Sequence, residues 1–167
     1  MISCLITSHK QFMGNLLTSD CFDAFLLQQA SIVTSNAFQI DGRIEKEFFS
    51  TEEWEDKNLH PYEFSCWADM RTICFSLIRG KRSPVSMKIV LSLKPEAAPK
   101  YLDCSFEQLE RELIKALVVT IRYDNVKMTC TTGISFSSFS TDKDFAKKWD
   151  KVFLQLLDQQ GITYQLS

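Results

Sequence analysis

Two short segments of the chain are near copies of one another, and a repeat constrains the architecture more than any other sequence feature. They are residues 49–53 (FSTEE) and residues 139–143 (FSTDK). Each lies ahead of a predicted helix that begins at a tryptophan and ends at a glycine, the first from Trp67 to Gly80 and the second from Trp149 to Gly161. The sequence therefore predicts an internal duplication.

The match extends towards the start of each half. At an offset of 90 residues, Ile44 falls on Ile134. Two strand-like alternations, at residues 2–6 and 89–93, each precede a Ser-x-x-Gln capping box, at residues 8–11 and 105–108. We expect an α+β fold built as a tandem duplication of a β-α-β-β-(β)-α unit, with antiparallel sheets and helices packed on them. The alternative is a non-duplicated α+β sandwich in which these similarities are coincidence.

Length and composition predict one domain. The chain has 167 residues, of which 45% are hydrophobic, including 13 phenylalanines, and no segment resembles an interdomain linker. We expect residues 1–167 to form a single domain with pseudo-repeats at 1–84 and 85–167. A net charge of −2 argues against coating nucleic acid or membrane by bulk electrostatics. The N-terminal residues lack a signal-peptide pattern and no apolar run approaches about 20 residues, so we predict a cytoplasmic protein with no membrane partner.

The chemistry-bearing residues match no catalytic or metal-binding pattern. The six cysteines include no C-x-x-C pair, which is typical of reduced core residues, and the only histidines are His9 and His60. Neither histidine is tied to a serine or cysteine nucleophile, and five glycines are too few for a nucleotide-binding loop. We therefore predict no catalytic residue, metal or cofactor. An enzyme of unrecognised type remains an alternative.

Local signals place several turns and helix ends. Residues 8 to about 19 have the spacing of a short amphipathic helix. Both Ser35-Asn36 and Asp41-Gly42 can turn the chain, and Asp-Gly is the stronger hairpin signal. Asp124-Asn125 predicts a hairpin with a two-residue turn. Hydroxyl caps are expected at residues 50–51 and 140–141, and Gly161 is expected to end the Trp149 helix.

The two halves differ most in charge. Arg71 occupies the helical position that Phe153 fills in the second half. One interpretation is that Arg71 lies along Trp67 beside a carboxylate such as Asp69 or Glu63. The other is that Arg71 binds an anion in a cleft between the halves.

The Trp67 helix also leads into a basic segment. Five basic residues and no acidic residue lie between 71 and 88, namely Arg71, Arg79, Lys81, Arg82 and Lys88, whereas residues 41–57 hold seven acids against three bases. The two segments can neutralise each other or remain solvated. Nucleic-acid contact would require aromatic residues among the bases, and Phe75 and Trp67 are expected to face the core instead.

Four stretches together resemble a known family. They are residues 30–34 (ASIVT), 40–44 (IDGRI), 79–84 (RGKRSP) and 129–133 (TCTTG). The chain resembles an uncharacterised family of small proteins from anaerobic Gram-positive bacteria, and the resemblance implies no activity or site residues. In layout alone, duplicated strand-helix-strand-strand units also look like bacterial effector-binding domains and, more distantly, DNA sliding-clamp domains.

These observations favour a non-enzymatic binding or interaction domain that holds a small molecule between its two halves. The candidate ligand-binding residues are Trp67, Arg71, Arg79, Lys81 and Arg82. The runner-up is local nucleic-acid binding through the basic loop 79–88. A protein partner is also open.

Overall fold

The structure is a computed structural model that describes residues 1–139 and 143–167. Seven strands and six α-helices lie in these residues, with a short 3-10 helix at Lys46–Phe48. In chain order they are β1 (Ser3–Ile6), α1 (His9–Thr18), β2 (Phe25–Val33), β3 (Ala37–Asp41), α2 (Thr51–Glu55), α3 (Trp67–Ile78), β4 (Ser86–Leu93), α4 (Ala98–Leu102), α5 (Phe106–Arg111), β5 (Ile114–Tyr123), β6 (Met128–Phe136), α6 (Asp144–Gln159) and β7 (Tyr164–Leu166). The predicted α+β class is confirmed.

All seven strands belong to one sheet with the order β3-β2-β4-β5-β6-β1-β7. Each neighbouring pair is antiparallel. The first strand joins the sheet far from its sequence neighbours, because Cys4 lies opposite Cys130 of β6 on one side and Leu166 of β7 on the other. The middle of the sheet is the long β4-β5-β6 meander.

One face of the sheet carries the core. On β5, Leu117, Val119 and Ile121 are buried while the residues between them are half-buried, as expected for a strand with one packed face. The helices cover this face and contribute Trp67 from α3 and Trp149 from α6, both fully buried. The opposite face is packed at one end, where Leu26 and its partner Ser92 are buried, and is more exposed around Lys88 and Arg122.

The order of elements recurs in the two halves, but the strand pairing does not. Each half reads strand, helix, two strands and a tryptophan-bearing helix. However, β4 lies between β2 and β5, whereas its counterpart β1 lies between β6 and β7. Likewise α3 contacts β2, while α6 contacts β6, which is not the counterpart of β2. The duplication is therefore not confirmed and remains a prediction.

Of the two possible turns that were left open, Asp41-Gly42 does not join the strands, because Asp41 still pairs with Gln29 at the end of β3. The β2–β3 hairpin turns at Ser35-Asn36 instead, with Val33 opposite Ala37. Gly42 is needed for a different reason, because a Cβ there would lie 1.8 Å from the carbonyl oxygen of Leu27. The predicted hairpin at Asp124 is present, but its loop spans four residues rather than two, since Tyr123 pairs with Met128.

Three of the capping predictions are confirmed. The Ser50 hydroxyl accepts from the Glu53 N–H while the Glu53 carboxylate accepts from the Ser50 N–H, and Ser105 and Gln108 form the same reciprocal pair. Gly161 has a φ of +68° beyond the last residue of α6, as predicted. The cap predicted at residues 140–141 lies outside the described residues.

The capping box predicted at residues 8–11 was wrong. Helix α1 begins there, but the Ser8 hydroxyl makes no cap hydrogen bond. It accepts instead from the Thr163 N–H at 3.0 Å, and the Gln11 amide donates to the Gln160 carbonyl at 3.0 Å. Both side chains of the predicted box therefore form hydrogen bonds with residues distant in sequence, and the N-terminus of α1 has no side-chain cap.

Candidate functional site

A cleft of about 660 Å³ lies where the basic loop packs across α1. Its walls come from α1, from the end of α3 with the following loop to Pro84, and from the β5–β6 hairpin. The lining residues include His9, Lys10, Met13, Leu17, Phe75, Ile78, Arg79, Lys81, Arg82, Tyr123 and Met128. Since the hairpin belongs to residues 85–167 and the other walls to residues 1–84, the cleft lies between the predicted halves.

The loop reaches the cleft because α3 ends early. The helix stops at Ile78, and Gly80 takes a φ of +150°, which L side chains rarely adopt. Pro84 is buried, and the Val85 N–H donates to the Val33 carbonyl at 2.8 Å, which returns the chain to the sheet. The segment 79–84 is therefore anchored at both ends while its basic side chains stay exposed.

The cleft is strongly cationic for a chain with a net charge of −2. Lys10, Arg79, Lys81 and Arg82 line it together with His9, and none of the described residues that line it is acidic. Within the described part of the chain, the ion pairs join Met1 to Asp150, Arg43 to Glu63 and Arg71 to Asp23, so none involves a cation of the cleft. Four unpaired positive charges thus converge on one site.

The base of the cleft is apolar. Met13 and Leu17 lie one turn apart on α1, Ile78 closes the end of α3, and Met128 comes from β6. Tyr123 packs edge-on to His9, with ring centroids 6.2 Å apart. Apolar lining with a few polar groups at the mouth is the usual composition of a small-molecule site.

Helix α1 adds to the positive potential. It has no acidic residue in its first turn and no side-chain cap, so the partial positive charge of its N-terminus is not offset locally. His9 and Lys10 occupy this first turn and also line the cleft. Together these features favour a ligand with negative charge near the start of α1.

The sequence-predicted residues fall into two groups. Arg79, Lys81 and Arg82 come together in the cleft, whereas Trp67 and Arg71 are not among its lining residues. Trp67 is fully buried, and its indole N–H donates to the Leu16 carbonyl at 2.9 Å. Trp67 therefore serves as a core residue in this structure, as its predicted core-facing position implies.

Arg71 has a carboxylate partner, but the partners suggested from sequence were wrong. Its Nε and Nη2 donate to the two Asp23 oxygens at 3.1 and 3.3 Å. Glu63 instead pairs with Arg43. The hydrogen bond to Asp23 raises the pKa of Arg71, so its charge is held more firmly. Asp23 lies 48 residues away in the loop after α1, and no local spacing indicated it.

Phe75 also differs from expectation. It was expected to face the core, but its side chain is 38% exposed and it lines the cleft. Sequence reasoning missed three further lining residues, His9, Lys10 and Tyr123. His9 and Lys10 lie four and three residues before Met13, so helical spacing places them on the same side of α1 as Met13 and Leu17. This spacing is the sequence signal that could have identified His9 and Lys10.

A second hollow, of about 500 Å³, is formed by the inserted segment before α3. His60 stacks on Trp54 with ring centroids 5.3 Å apart and contacts Phe49 at 4.1 Å. Its Nε2 is buried without a hydrogen-bond partner. Phe48 is 84% exposed at the rim. The stacked rings hold Phe49, Trp54 and His60 of this segment together, and within residues 1–139 and 143–167 no cysteine or serine side chain forms a hydrogen bond with His60.

The cysteines are thiols that lie partly or fully inside the fold. Cys4, Cys74 and Cys130 are buried, the other three are half-buried, and all six are free. Burial raises the pKa of Cys74 to about 11. Within residues 1–139 and 143–167, no three His, Cys, Asp or Glu side chains gather as a metal site. No helix in those ranges has the length and apolar character to cross a membrane.

Comparison with known proteins gives one match. A family model described as "Family of unknown function (DUF5721)" matches residues 15–165. No curated protein and no solved structure matches the chain. The matched range includes α3, the basic loop and the β5–β6 hairpin, which supply most of the cleft.

Proposed function

Because the chain belongs to the family of unknown function DUF5721, its activity must be inferred from its own geometry, and we propose that it binds a small anionic molecule in the cationic cleft. The ligand carries a phosphate or carboxylate group beside an apolar body. The anionic group lies against the basic loop and the start of α1. The apolar body lies over Met13, Ile78 and Met128.

One observation carries this proposal, the convergence of Lys10, Arg79, Lys81 and Arg82 on a cleft without an acidic residue. Like charges repel each other at short range, so bringing four together raises the free energy of the unliganded protein. A bound anion offsets this repulsion, and an apolar base excludes water from part of the contact. Binding, rather than catalysis, is the role that we propose for this cleft.

The exposed ring of Phe75 favours a second candidate function, single-stranded nucleic-acid binding through loop 79–88. Nucleic-acid sites combine basic side chains with aromatic rings on which bases stack. Phe75 and Tyr123 both line the cleft beside the cations. We prefer the small-molecule role because apolar side chains of α1, α3 and β6 form the base of the cleft.

Several expectations from the sequence remain predictions. They are a cytoplasmic location, a bacterial source, a single domain over residues 1–167 and the alternative of a protein partner. The free cysteines accord with a reducing compartment. The internal duplication would give the cleft its position between two related halves.

The test compares three probes by thermal shift at constant ionic strength: hexyl phosphate, inorganic phosphate and hexanol. We expect hexyl phosphate to stabilise most, because it alone engages both the cations and the apolar base. At 100 times its dissociation constant, a ligand adds about 2.7 kcal/mol to the free energy of unfolding. A labelled 12-nucleotide single strand, titrated at two salt concentrations, tests the second candidate.

The decisive variant is Lys81→Gln/Arg82→Gln, with Lys147→Gln/Lys151→Gln on the exposed side of α6 as the matched control. The cleft variant should lose hexyl phosphate stabilisation while its unliganded melting temperature is unchanged or higher. The control should respond as the wild type does. Equal stabilisation of both variants would refute the cleft as the site, and tighter oligonucleotide than hexyl phosphate binding would favour nucleic acid.

A further inference from the structure

The face of the sheet opposite the core carries a row of polar side chains that the proposed function does not use. Strand register places Ser31 of β2 opposite Lys88 of β4, Lys88 opposite Arg122 of β5, and Arg122 opposite Thr129 of β6. Their neighbours Met87, Ile121 and Cys130 are buried in the core. Because side chains alternate along a strand, these four point to the opposite face.

Lys88 and Arg122 form a like-charge pair at the centre of this row. Residues directly opposite in an antiparallel pair have Cβ atoms about 4.5–5.5 Å apart, and like-charged side chains at directly opposite positions are destabilising. Neither side chain forms an ion pair with a carboxylate in the described ranges. In the described ranges, the two adjacent positive charges are therefore not joined to a carboxylate by an ion pair.

The surroundings complete a hollow of about 380 Å³. Ser31 and Thr129 flank the two cations with hydroxyl donors, and Lys127 adds a third positive charge from the β5–β6 loop. Asp124 is the acid of this hollow, and its carboxylate already accepts the N–H groups of Val126 and Lys127 at 3.2 and 2.8 Å. The hollow thus offers donors and positive charge, with its single carboxylate engaged by its own loop.

We propose that Lys88 and Arg122, with Ser31 and Thr129, form an oxyanion site for a compact phosphate such as a phosphomonoester or pyrophosphate. Arg122 offers a planar donor fork and Lys88 a point charge, which together suit a multiply charged phosphate. No residue of the row across the sheet is aromatic, from Gln39 through Ser31, Lys88, Arg122, Thr129 and Leu5 to Gln165. The row therefore lacks a surface on which a nucleobase would stack.

This site is separate from the cleft. Tyr123 borders both, because it follows Arg122 on β5 and its ring packs on His9 at the other side of the sheet. None of the cleft cations, Lys10, Arg79, Lys81 or Arg82, lines the sheet-face hollow. Variants at one site can therefore be tested without altering the other.

The experiment measures pyrophosphate binding by isothermal titration and thermal shift, at an ionic strength held constant with sodium chloride. The variants are Lys88→Gln and Arg122→Gln, and the control is Lys115→Gln, an exposed lysine on the same strand as Arg122. We expect each site variant to weaken pyrophosphate binding at least tenfold. Without pyrophosphate, each should melt at the wild-type temperature or about 1–2 °C above it, since a like-charge contact is removed.

The control Lys115→Gln and the cleft variant Lys81→Gln/Arg82→Gln should both bind pyrophosphate as the wild type does. Unchanged affinity in Arg122→Gln would overturn the proposal. So would a lower melting temperature of Arg122→Gln without pyrophosphate, because the side chain would then stabilise the fold. A single-stranded oligonucleotide that binds more tightly than pyrophosphate, and depends on Arg122, would overturn the assignment to a compact phosphate.

Discussion

Gly42→Ala tests the close approach that anchors the inserted segment to the sheet. Gly42 follows β3, and an added Cβ would lie 1.8 Å from the Leu27 carbonyl oxygen and 2.6 Å from its carbon. Ordinary contact begins near 3.4 Å, so the two backbones must separate by 1.6 Å (3.4 less 1.8). No rotamer change relieves this clash because both partners are backbone atoms or fixed to the backbone.

The magnitude follows from the hydrogen bonds that such a separation breaks. The Gly42 N–H donates to the Gln28 carbonyl at 2.9 Å, the Ser65 N–H to the Gly42 carbonyl at 2.8 Å, and the Leu27 N–H to the Ser65 carbonyl at 2.8 Å. At about 1 kcal/mol net for each bond, the free energy of unfolding should fall by about 3 kcal/mol. For a domain of this size, the melting temperature should fall by about 6–12 °C.

The assay is urea unfolding followed by circular dichroism, with calorimetry for the melting temperature. Gly133→Ala is the matched control, because nothing lies within 4 Å of its added Cβ. The control should be neutral or stabilised by about 0.4–1 kcal/mol through the lower entropy of its unfolded chain. If Gly42→Ala loses less than about 1 kcal/mol, the backbone contact is not as tight as argued.

Two further predictions concern single charged groups. Arg71→Met should lower the free energy of unfolding by about 1–3 kcal/mol, because it leaves the half-buried Asp23 carboxylate without its partner. The double variant Arg71→Met/Asp23→Leu should lie within about 1 kcal/mol of the wild type. A double-mutant cycle measured by urea unfolding tests both values, and additive effects would contradict the pairing. Backbone N–H groups of Lys127 and Val126 lower the pKa of Asp124. Its carboxylate therefore stabilises the hairpin above its unfolded pKa, and this contribution is lost as pH falls through the folded value. Between about pH 5 and 2, the free energy of unfolding should fall less in Asp124→Asn than in the wild type, as measured by urea unfolding at each pH. An equal fall in the two proteins would refute this.

Much of the fold could be predicted because its signals are local. The capping boxes at Ser50 and Ser105 and the glycine after α6 act within one helical turn, so a few residues determine them. The alternation along β4 and β5 likewise follows from one buried face. The failures involve partners distant in sequence. The Thr163 N–H donates to the Ser8 hydroxyl, and the Leu27 carbonyl oxygen occupies the place of a Cβ at Gly42.

The candidate site was predictable only in part for the same reason. A run of basic residues without acids identified Arg79, Lys81 and Arg82, because charge density can be read directly from sequence. Lys10 and Tyr123 reach them through the packing of α1 and the register of the central meander. The like-charge contact between Lys88 and Arg122 required knowledge of strand pairing, which a single sequence specifies weakly.

The place of β1 in the sheet has a consequence for the order of folding. Its four residues pair only with β6 and β7, so Ser3 finds its partner Thr131 after more than three-quarters of the described chain. During synthesis, β4, β5 and β6 can pair first, while the backbone N–H and C=O groups of β1 remain unpaired. Such long-range closure slows folding and exposes a strand edge to other chains in the meantime. Insertion of β1 is therefore expected to be a late step, and the step most sensitive to protein concentration.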